Sequence, residues 1–124
     1  MWRMSREEWQ QVLSLATDSQ VQFDAEGLAG LVLPDLALYV GFLWQDDAVT
    51  LYAPLGQVTH ADLFAEMLTA NGFWRQTLGA TLSIYDTDQA LLAIPVPEGE
   101  AWRVKQLYVQ FLGTAEHWQQ KLAS

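Results

Sequence analysis

Residues 63–94 constrain the fold most, because their side-chain pattern changes once from a helical period to a strand period. The first part carries apolar residues on one side of a helix and stops at Asn71-Gly72, where glycine supplies a left-handed cap. Apolar and polar residues then alternate over residues 79–85, and a second strand follows an acidic turn. The stretch therefore predicts a helix and two antiparallel strands. Pro95 and Pro97 mark the second strand as a sheet edge.

The N-terminal part of the chain predicts another helix. Ser5 and Glu8 match the S-x-x-E capping box that starts many helices. An apolar stripe follows at helical spacing, and it comprises Trp9, Val12, Leu13 and Ala16. Such a stripe packs into the chain's own core or, in part, against a partner, and the sequence leaves both interpretations open.

Three short strands are predicted between residues 28 and 53, and Pro54-Leu55-Gly56 breaks the third. The middle run, residues 36–44, is apolar on both faces and so needs cover on both sides. The bulkier set should face the protein's own helices: Leu36, Leu38, Val40, Phe42 and Trp44. The other set should leave a shallow apolar groove, unless the C-terminal helix covers it: Ala37, Tyr39, Gly41 and Leu43. In that groove Gly41 would let a partner backbone come close.

The last predicted helix begins near Gly99 and keeps one apolar face over about six turns. That face comprises Val104, Leu107, Tyr108, Phe111, Leu112, Ala115, Trp118 and Leu122. A helix of this length can lie across a whole sheet. The complete pattern predicts one small α+β domain over residues 1–124, in the order α-β-β-β-α-β-β-α, with a twisted antiparallel sheet packed with helices.

The charge balance excludes several classes of partner. The chain has a formal net charge of −9, from 15 acidic and 6 basic residues, and the basic residues form no run. Nucleic acid and anionic membrane surfaces are disfavoured, because both need clustered lysine and arginine. No apolar run reaches the roughly 18 residues of a spanning helix, so no membrane insertion is expected. The absence of cysteine and of an apolar N-terminal signal favours a cytoplasmic location.

No catalytic or metal-binding constellation is recognisable. The chain has two histidines and no cysteine, and it lacks the glycine-rich loops that hold phosphate groups. Asp46 and Asp47 are interpreted as solvated turn residues, since aspartate is a preferred turn former. The Asp86-Thr87-Asp88 segment lacks the glycine and the closing glutamate of a calcium loop. The sequence therefore predicts a binding protein with no enzymatic activity, no cofactor and no metal.

Three segments resemble the class I chaperones of type III secretion systems, the Tir-chaperone type. Residues 63–71 are similar to that family's "LL-x-x-N" helix end, and residues 79–85 to its glycine-led strand. Residues 111–118, FLGTAEHW, resemble its "F-L-x-x-A-E-x-W" ending. The resemblance implies a homodimeric cytoplasmic chaperone that binds the N-terminal region of a secreted effector in an extended form, without hydrolysing ATP. The secretion-apparatus ATPase is a further candidate partner.

Two candidate surfaces follow from the apolar pattern and the resemblance. The expected effector-binding residues are Trp9, Leu13, Tyr39 and Leu43. The expected dimer interface comprises Leu63, Phe64, Met67, Leu68, Leu82 and Ile84. The alternative function is an acidic inhibitor or immunity-type protein that blocks a folded, basic enzyme. Such a protein would cluster its carboxylates on one surface, whereas the acids here are spread over turns and helix starts.

Overall fold

Alternating apolar residues produce an antiparallel sheet of five strands between residues 28 and 97. The computed structural model describes residues 3–72 and 78–123. Its α-helices are α1 (Arg6–Thr17), α2 (Ala61–Gly72) and α3 (Val104–Ala123). Its strands are β1 (Leu28–Leu33), β2 (Leu38–Gln45), β3 (Ala48–Gln57), β4 (Thr81–Tyr85) and β5 (Gln89–Pro97). The strands lie in the order β1-β2-β3-β5-β4, and every neighbouring pair is antiparallel. The predicted α+β class and order of elements are confirmed.

The register of the strands decides which side chains share a face, because alternate residues of a strand point to opposite sides. Phe42 pairs with Leu51, which pairs with Ile94, so these three side chains lie on one face, here called the inner face. Phe42 and Leu51 are fully buried, and the Tyr108 ring of α3 lies 6.3 Å from the Phe42 ring. The core therefore lies on this face. Burying one such side chain there contributes about 1.5–3 kcal/mol to stability.

α3 lies against the inner face and buries most of its predicted stripe. The α-helix starts later than the sequence suggested, because Glu98–Arg103 forms a 3-10 turn before it. Near the other end, Gln119 Nε2 donates to the Ala37 carbonyl at 2.6 Å, and Lys121 Nζ lies 2.6 Å from a carboxylate oxygen of Glu66. These contacts tie α3 to the β1–β2 connection and to α2.

α1 begins at the predicted capping box. Ser5 Oγ accepts a hydrogen bond from the Glu8 N–H at 3.1 Å, and Glu8 Oε1 accepts one from the Ser5 N–H at 2.9 Å. The helix packs on α3, and its Trp9 and Leu13 side chains are 0% and 1% exposed. The stripe therefore belongs to the protein's own core.

β3 is longer than the sequence predicted. The strand continues through Pro54-Leu55-Gly56 to Gln57, and its register with β5 shifts between Pro54 and Gly56. Gly56 adopts a φ of 119°, a conformation that favours glycine. An irregularity of this kind lets a strand pass a residue that does not fit the ladder, so the proline does not end it.

The prediction that β5 is an edge strand is wrong. β5 lies between β3 and β4, and β4 forms the edge. β4 is short, however, and pairs only with the part of β5 between Gln89 and Ala93. Pro95 and Pro97 lie beyond the end of β4, so their missing N–H groups remove no hydrogen bond from the β4–β5 ladder. The two prolines therefore lie in the part of β5 that pairs with β3 alone.

Asn71 joins α2 to the edge strand β4. Its Nδ2 donates to the Leu82 carbonyl at 2.7 Å, and its Oδ1 accepts from the Leu82 N–H at 2.8 Å. The Leu82 N–H and carbonyl both point away from β5, and the single Asn71 side chain bonds to both of them. The sequence pattern indicated only a helix stop at Asn71-Gly72. Gly72 is the last described residue of α2.

We expect Asn71→Ala to lower the free energy of unfolding by about 1–3 kcal/mol, because the Leu82 N–H and carbonyl lose their partners. Urea unfolding followed by tryptophan fluorescence measures the change. Thr69→Ala, an exposed position of the same helix, is the matched control and should change stability by less than about 0.5 kcal/mol. An Asn71→Ala variant as stable as the parent would contradict this role.

Candidate partner-binding surfaces

The face of the sheet opposite to the core, the outer face, carries two flat-lying tyrosine rings. Tyr39 lies over Gly30 of β1, and Tyr52 lies over Gly41 of β2. A Cβ atom on either glycine would overlap the ring above it. The ring centroids are 6.4 Å apart, and the ring planes are inclined by 55°. We call these four residues the tyrosine platform.

The platform corrects one expectation from the sequence. Gly41 was expected to admit a partner backbone, but the Tyr52 ring fills the space above it. The register is the cause, since Gly41 and Tyr52 are directly paired across β2 and β3. Burial raises the pKa of Tyr52, and Tyr39 adds to the shift. The Tyr52 hydroxyl therefore stays neutral well above physiological pH.

Apolar side chains around the platform remain in contact with solvent. Val32 is 74% exposed and pairs with Tyr39, which is 40% exposed. Leu28 and Leu43 form another pair on the same face, and both are half-buried. No helix of the described residues buries this side of β2 as α3 buries the inner side. An exposed contiguous apolar face of this kind is typical of a binding surface.

β1 forms one edge of the sheet and turns unpaired main-chain groups outward. The Trp44 N–H donates to the Gly27 carbonyl at 2.8 Å, which places the bonds to β2 at odd-numbered positions of β1. The even-numbered residues of an antiparallel strand with this pattern point their N–H and C=O groups the other way. Gly30 and Val32 are such residues, and no residue of the described chain pairs with them on that side.

Asp24 closes the start of this edge. Its main-chain N–H donates to the Leu28 carbonyl at 2.8 Å, and its Oδ1 accepts from the N–H groups of Leu28 and Glu26 at 3.0 and 2.8 Å. These main-chain donors, followed by Arg6, hold the pKa of the Asp24 carboxyl below its usual value. The lowered pKa means that the interaction stabilises the fold at neutral pH and is lost as the pH falls through the folded-state pKa.

A second apolar surface lies between α2 and β4. Phe64 and Leu68 of α2 are 42% and 63% exposed. Beside them is a hollow of about 180 Å³, whose apolar lining includes Met67, Leu82 and Ile84. The hollow can receive a side chain from another molecule, because its walls are apolar and it opens to solvent.

The structure separates the predicted site residues into three groups. Trp9 and Leu13 are core residues, and they leave the candidate binding surface because no partner can reach them in the folded chain. Tyr39 and Leu43 lie on the outer face as expected. All the predicted interface residues except Leu63 line one hollow, and the six differ in exposure. Met67 and Leu82 are buried, Leu63 and Ile84 are half-buried, and Phe64 and Leu68 are exposed.

No group of three or more histidine, aspartate and glutamate side chains in residues 3–72 and 78–123 could hold a metal ion. His117 packs edge-on against the Trp118 ring at 5.8 Å, a structural contact. No helix in these ranges is long and apolar enough to cross a membrane.

Comparison with known proteins identifies a matching family. A sequence model of the Tir chaperone protein (CesT) family matches residues 10–119. No curated protein sequence matches the chain significantly.

Three solved structures illustrate the shared fold. The crystal structure of the ExsC–ExsE complex is similar with a TM-score of 0.79 and 16% identity, over 94% of this chain and 95% of that one. The HopA1–SchA chaperone–effector complex gives 0.73 and 12%, over 92% of both chains. The heterodimeric ExoU–SpcU complex from the type III secretion system of Pseudomonas aeruginosa gives 0.71 and 12%, over 91% and 96%. At such identities the likeness concerns the fold.

We expect Gly41→Ala to displace the Tyr52 ring and lower the free energy of unfolding by about 1–3 kcal/mol, as overpacking does. Gly113→Ala is the matched control, because a Cβ atom there meets nothing within 4 Å and Gly113 lies in α3. That change should raise stability by about 0.5–1 kcal/mol through helix propensity. Thermal unfolding of both variants measures the contrast, and equal effects would contradict the platform packing.

Proposed function

The chain belongs to the Tir chaperone protein (CesT) family, and we propose that it is a cytoplasmic chaperone for a type III secreted effector. The family match over residues 10–119 is the observation that carries the proposal. Two similar structures add support, since one is a chaperone–effector complex and another comes from a type III secretion system. The proposed partner segment is the N-terminal region of the effector, bound in an extended form.

The outer face and the β1 edge suit an extended, unfolded segment. A strand added beside β1 would bond to the main-chain groups of Gly30 and Val32, whatever its sequence. Its alternate side chains would then reach the apolar surface around Tyr39 and Leu43. Ordering such a segment costs roughly 2–5 kcal/mol or more, so several apolar anchors are needed. Each buried side chain contributes about 1.5–3 kcal/mol.

The proposed activity is binding alone, with neither catalysis nor ATP hydrolysis by the chain. The matching family is one of chaperones, which supports this proposal. We further propose that residues 1–124 form one domain and that the secretion-apparatus ATPase is an additional partner. The acidic inhibitor considered as an alternative is not favoured, because no observation on the fold or family points to it.

The proposed chaperone is a homodimer whose interface forms between α2 and β4. The exposed Phe64 and Leu68 side chains and the adjacent hollow supply an apolar surface on each copy. Two such surfaces can meet about a twofold axis, with a side chain of one copy filling the hollow of the other. Stable dimers of this kind bury on the order of 2,000 Å² or more.

Val32→Asp should weaken binding of the effector's N-terminal segment by at least about tenfold, because it places a carboxylate on the apolar outer face. Leu15→Asp is the matched control, since Leu15 is 76% exposed on α1, away from the sheet's outer face. Co-expression with the secreted protein encoded nearby, purification and calorimetry measure the affinity. Failure of the parent chain to bind any such segment would refute the proposed function.

Leu68→Glu should convert the dimer to a monomer, since it places a charge in an apolar interface. Leu15→Glu makes the same chemical change at a similarly exposed site and should leave the dimer intact. Light scattering at micromolar concentration reports the mass, and circular dichroism confirms that both variants fold. A parent chain with a mass near 14.0 kDa would exclude the homodimer.

A further inference from the structure

A third surface, separate from the sheet's outer face and from α2, is centred on Trp102. This residue lies in the 3-10 turn Glu98–Arg103, before α3. Its side chain is 82% exposed, more than any other large apolar side chain of the described residues. Tryptophan is among the residues most often found at the energetic centre of protein interfaces. The exposure of Trp102 therefore makes this residue a candidate contact for a partner chain.

A hollow of about 400 Å³ opens beside Trp102, where α1 approaches the 3-10 turn. We call it the Trp102 groove. Its apolar wall is formed by Met4, Val12, Ala101 and Trp102, and its rim by Glu8, Gln11 and Glu98. The volume is sufficient for one or two bulky side chains from another chain.

Two carboxylates on the rim are held in place by main-chain donors. Glu98 Oε2 accepts from the Met4 N–H at 3.0 Å, and Glu8 Oε1 accepts from the Ser5 N–H at 2.9 Å. Neither carboxylate forms an ion pair within the described parts of the chain. The groove thus combines an apolar wall with two negative charges that have no ion-pair partner among the described residues.

We propose that the Trp102 groove binds a segment of the secreted client in which a bulky apolar side chain is next to lysine or arginine. The apolar side chain would lie against Met4 and Val12, and the cation would lie near Glu8 and Glu98 or over the Trp102 indole. This proposal rests on the proposed function for the identity of the partner. The net charge of −9 favours a cationic segment and disfavours a second copy of this chain.

The surface on the other side of Trp102 carries positively charged side chains. A second hollow there, of about 600 Å³, is lined by Arg103, Lys105 and the 61% exposed Val109 among others. Arg103 pairs with Glu100 at 2.6 Å, whereas Lys105 projects from the exposed side of α3. A cationic side chain is therefore expected only on the α1 side of Trp102, which gives the bound segment a direction.

The probe for the test is a displayed library of random dodecapeptides, selected on the full-length protein with counter-selection on the Trp102→Ala variant. The expected result is enrichment of peptides that place a lysine or arginine beside an aromatic or large aliphatic residue. Enriched peptides without basic residues, or no enrichment over the counter-selected background, would overturn the proposal.

Synthetic copies of the enriched peptides then test the residues. Binding should fall at least about tenfold in Trp102→Ala. In Glu98→Gln binding should fall less, and its salt dependence should decrease, because the amide keeps the acceptor for the Met4 N–H but removes the charge. Leu15→Ala should bind like the parent. Equal affinity of Trp102→Ala and the parent would refute the groove.

Binding measurements with the client itself distinguish this proposal from the proposed function. If the effector's N-terminal segment binds the parent chain but binds Trp102→Ala with unchanged affinity, the groove is excluded while the chaperone function stands. If that segment does not bind the parent at all, the proposed function fails, and the peptide selection alone decides the groove. Concentration-dependent light scattering shows whether Trp102→Ala changes self-association, and such a change would assign the groove to a second copy instead.

Discussion

The cover that α3 gives to one face of the sheet is the constraint on which the rest of the structure depends. Contact between Tyr108 and Phe42 fixes which side of β2 is buried, and the antiparallel pairing transmits that choice across all five strands. A slip of one residue would turn Val40 outward and Tyr39 inward. β2 is apolar on both faces, and α3 covers only one of them. The same register therefore leaves the other apolar face exposed.

Local patterns made much of the fold predictable. The capping box at Ser5 and the stripes of α1 and α3 depend on residues within a few turns of each other, so their periods can be found in a single sequence. The division of β2 into a bulky inner set and a smaller outer set depends only on alternation. Leu38, Val40 and Phe42 are buried and Tyr39 is exposed, whereas Leu36 and Ala37 lie outside β2, in and directly after the 3-10 turn Pro34–Leu36.

What could not be predicted depends on neighbours that are distant in sequence. Alternation cannot show that Tyr52 lies over Gly41, because that contact requires the β2–β3 register. Nor does an Asn-Gly pair reveal that Asn71 bonds to Leu82. The stripe of α1 looked the same whether it faced a partner or the core, and only the packing of α3 assigned Trp9 to the core. Binding surfaces are thus harder to predict from a sequence than helices and strands, because the exposure of a residue depends on how the rest of the chain packs.

The two ends of the sheet are chemically unequal, and this bears on how copies of the chain can aggregate. A sheet propagates into a fibre only if every added copy presents a fresh strand edge. A copy that joins through β1 presents β4 at its far end, where the Asn71 amide already occupies the main chain of Leu82. Joining β1 to β1 about a twofold axis consumes both open edges in one step. The Asn71 amide therefore restricts growth through β4 at Leu82, whereas Gly30 and Val32 of β1 have no partner of this kind within the described residues.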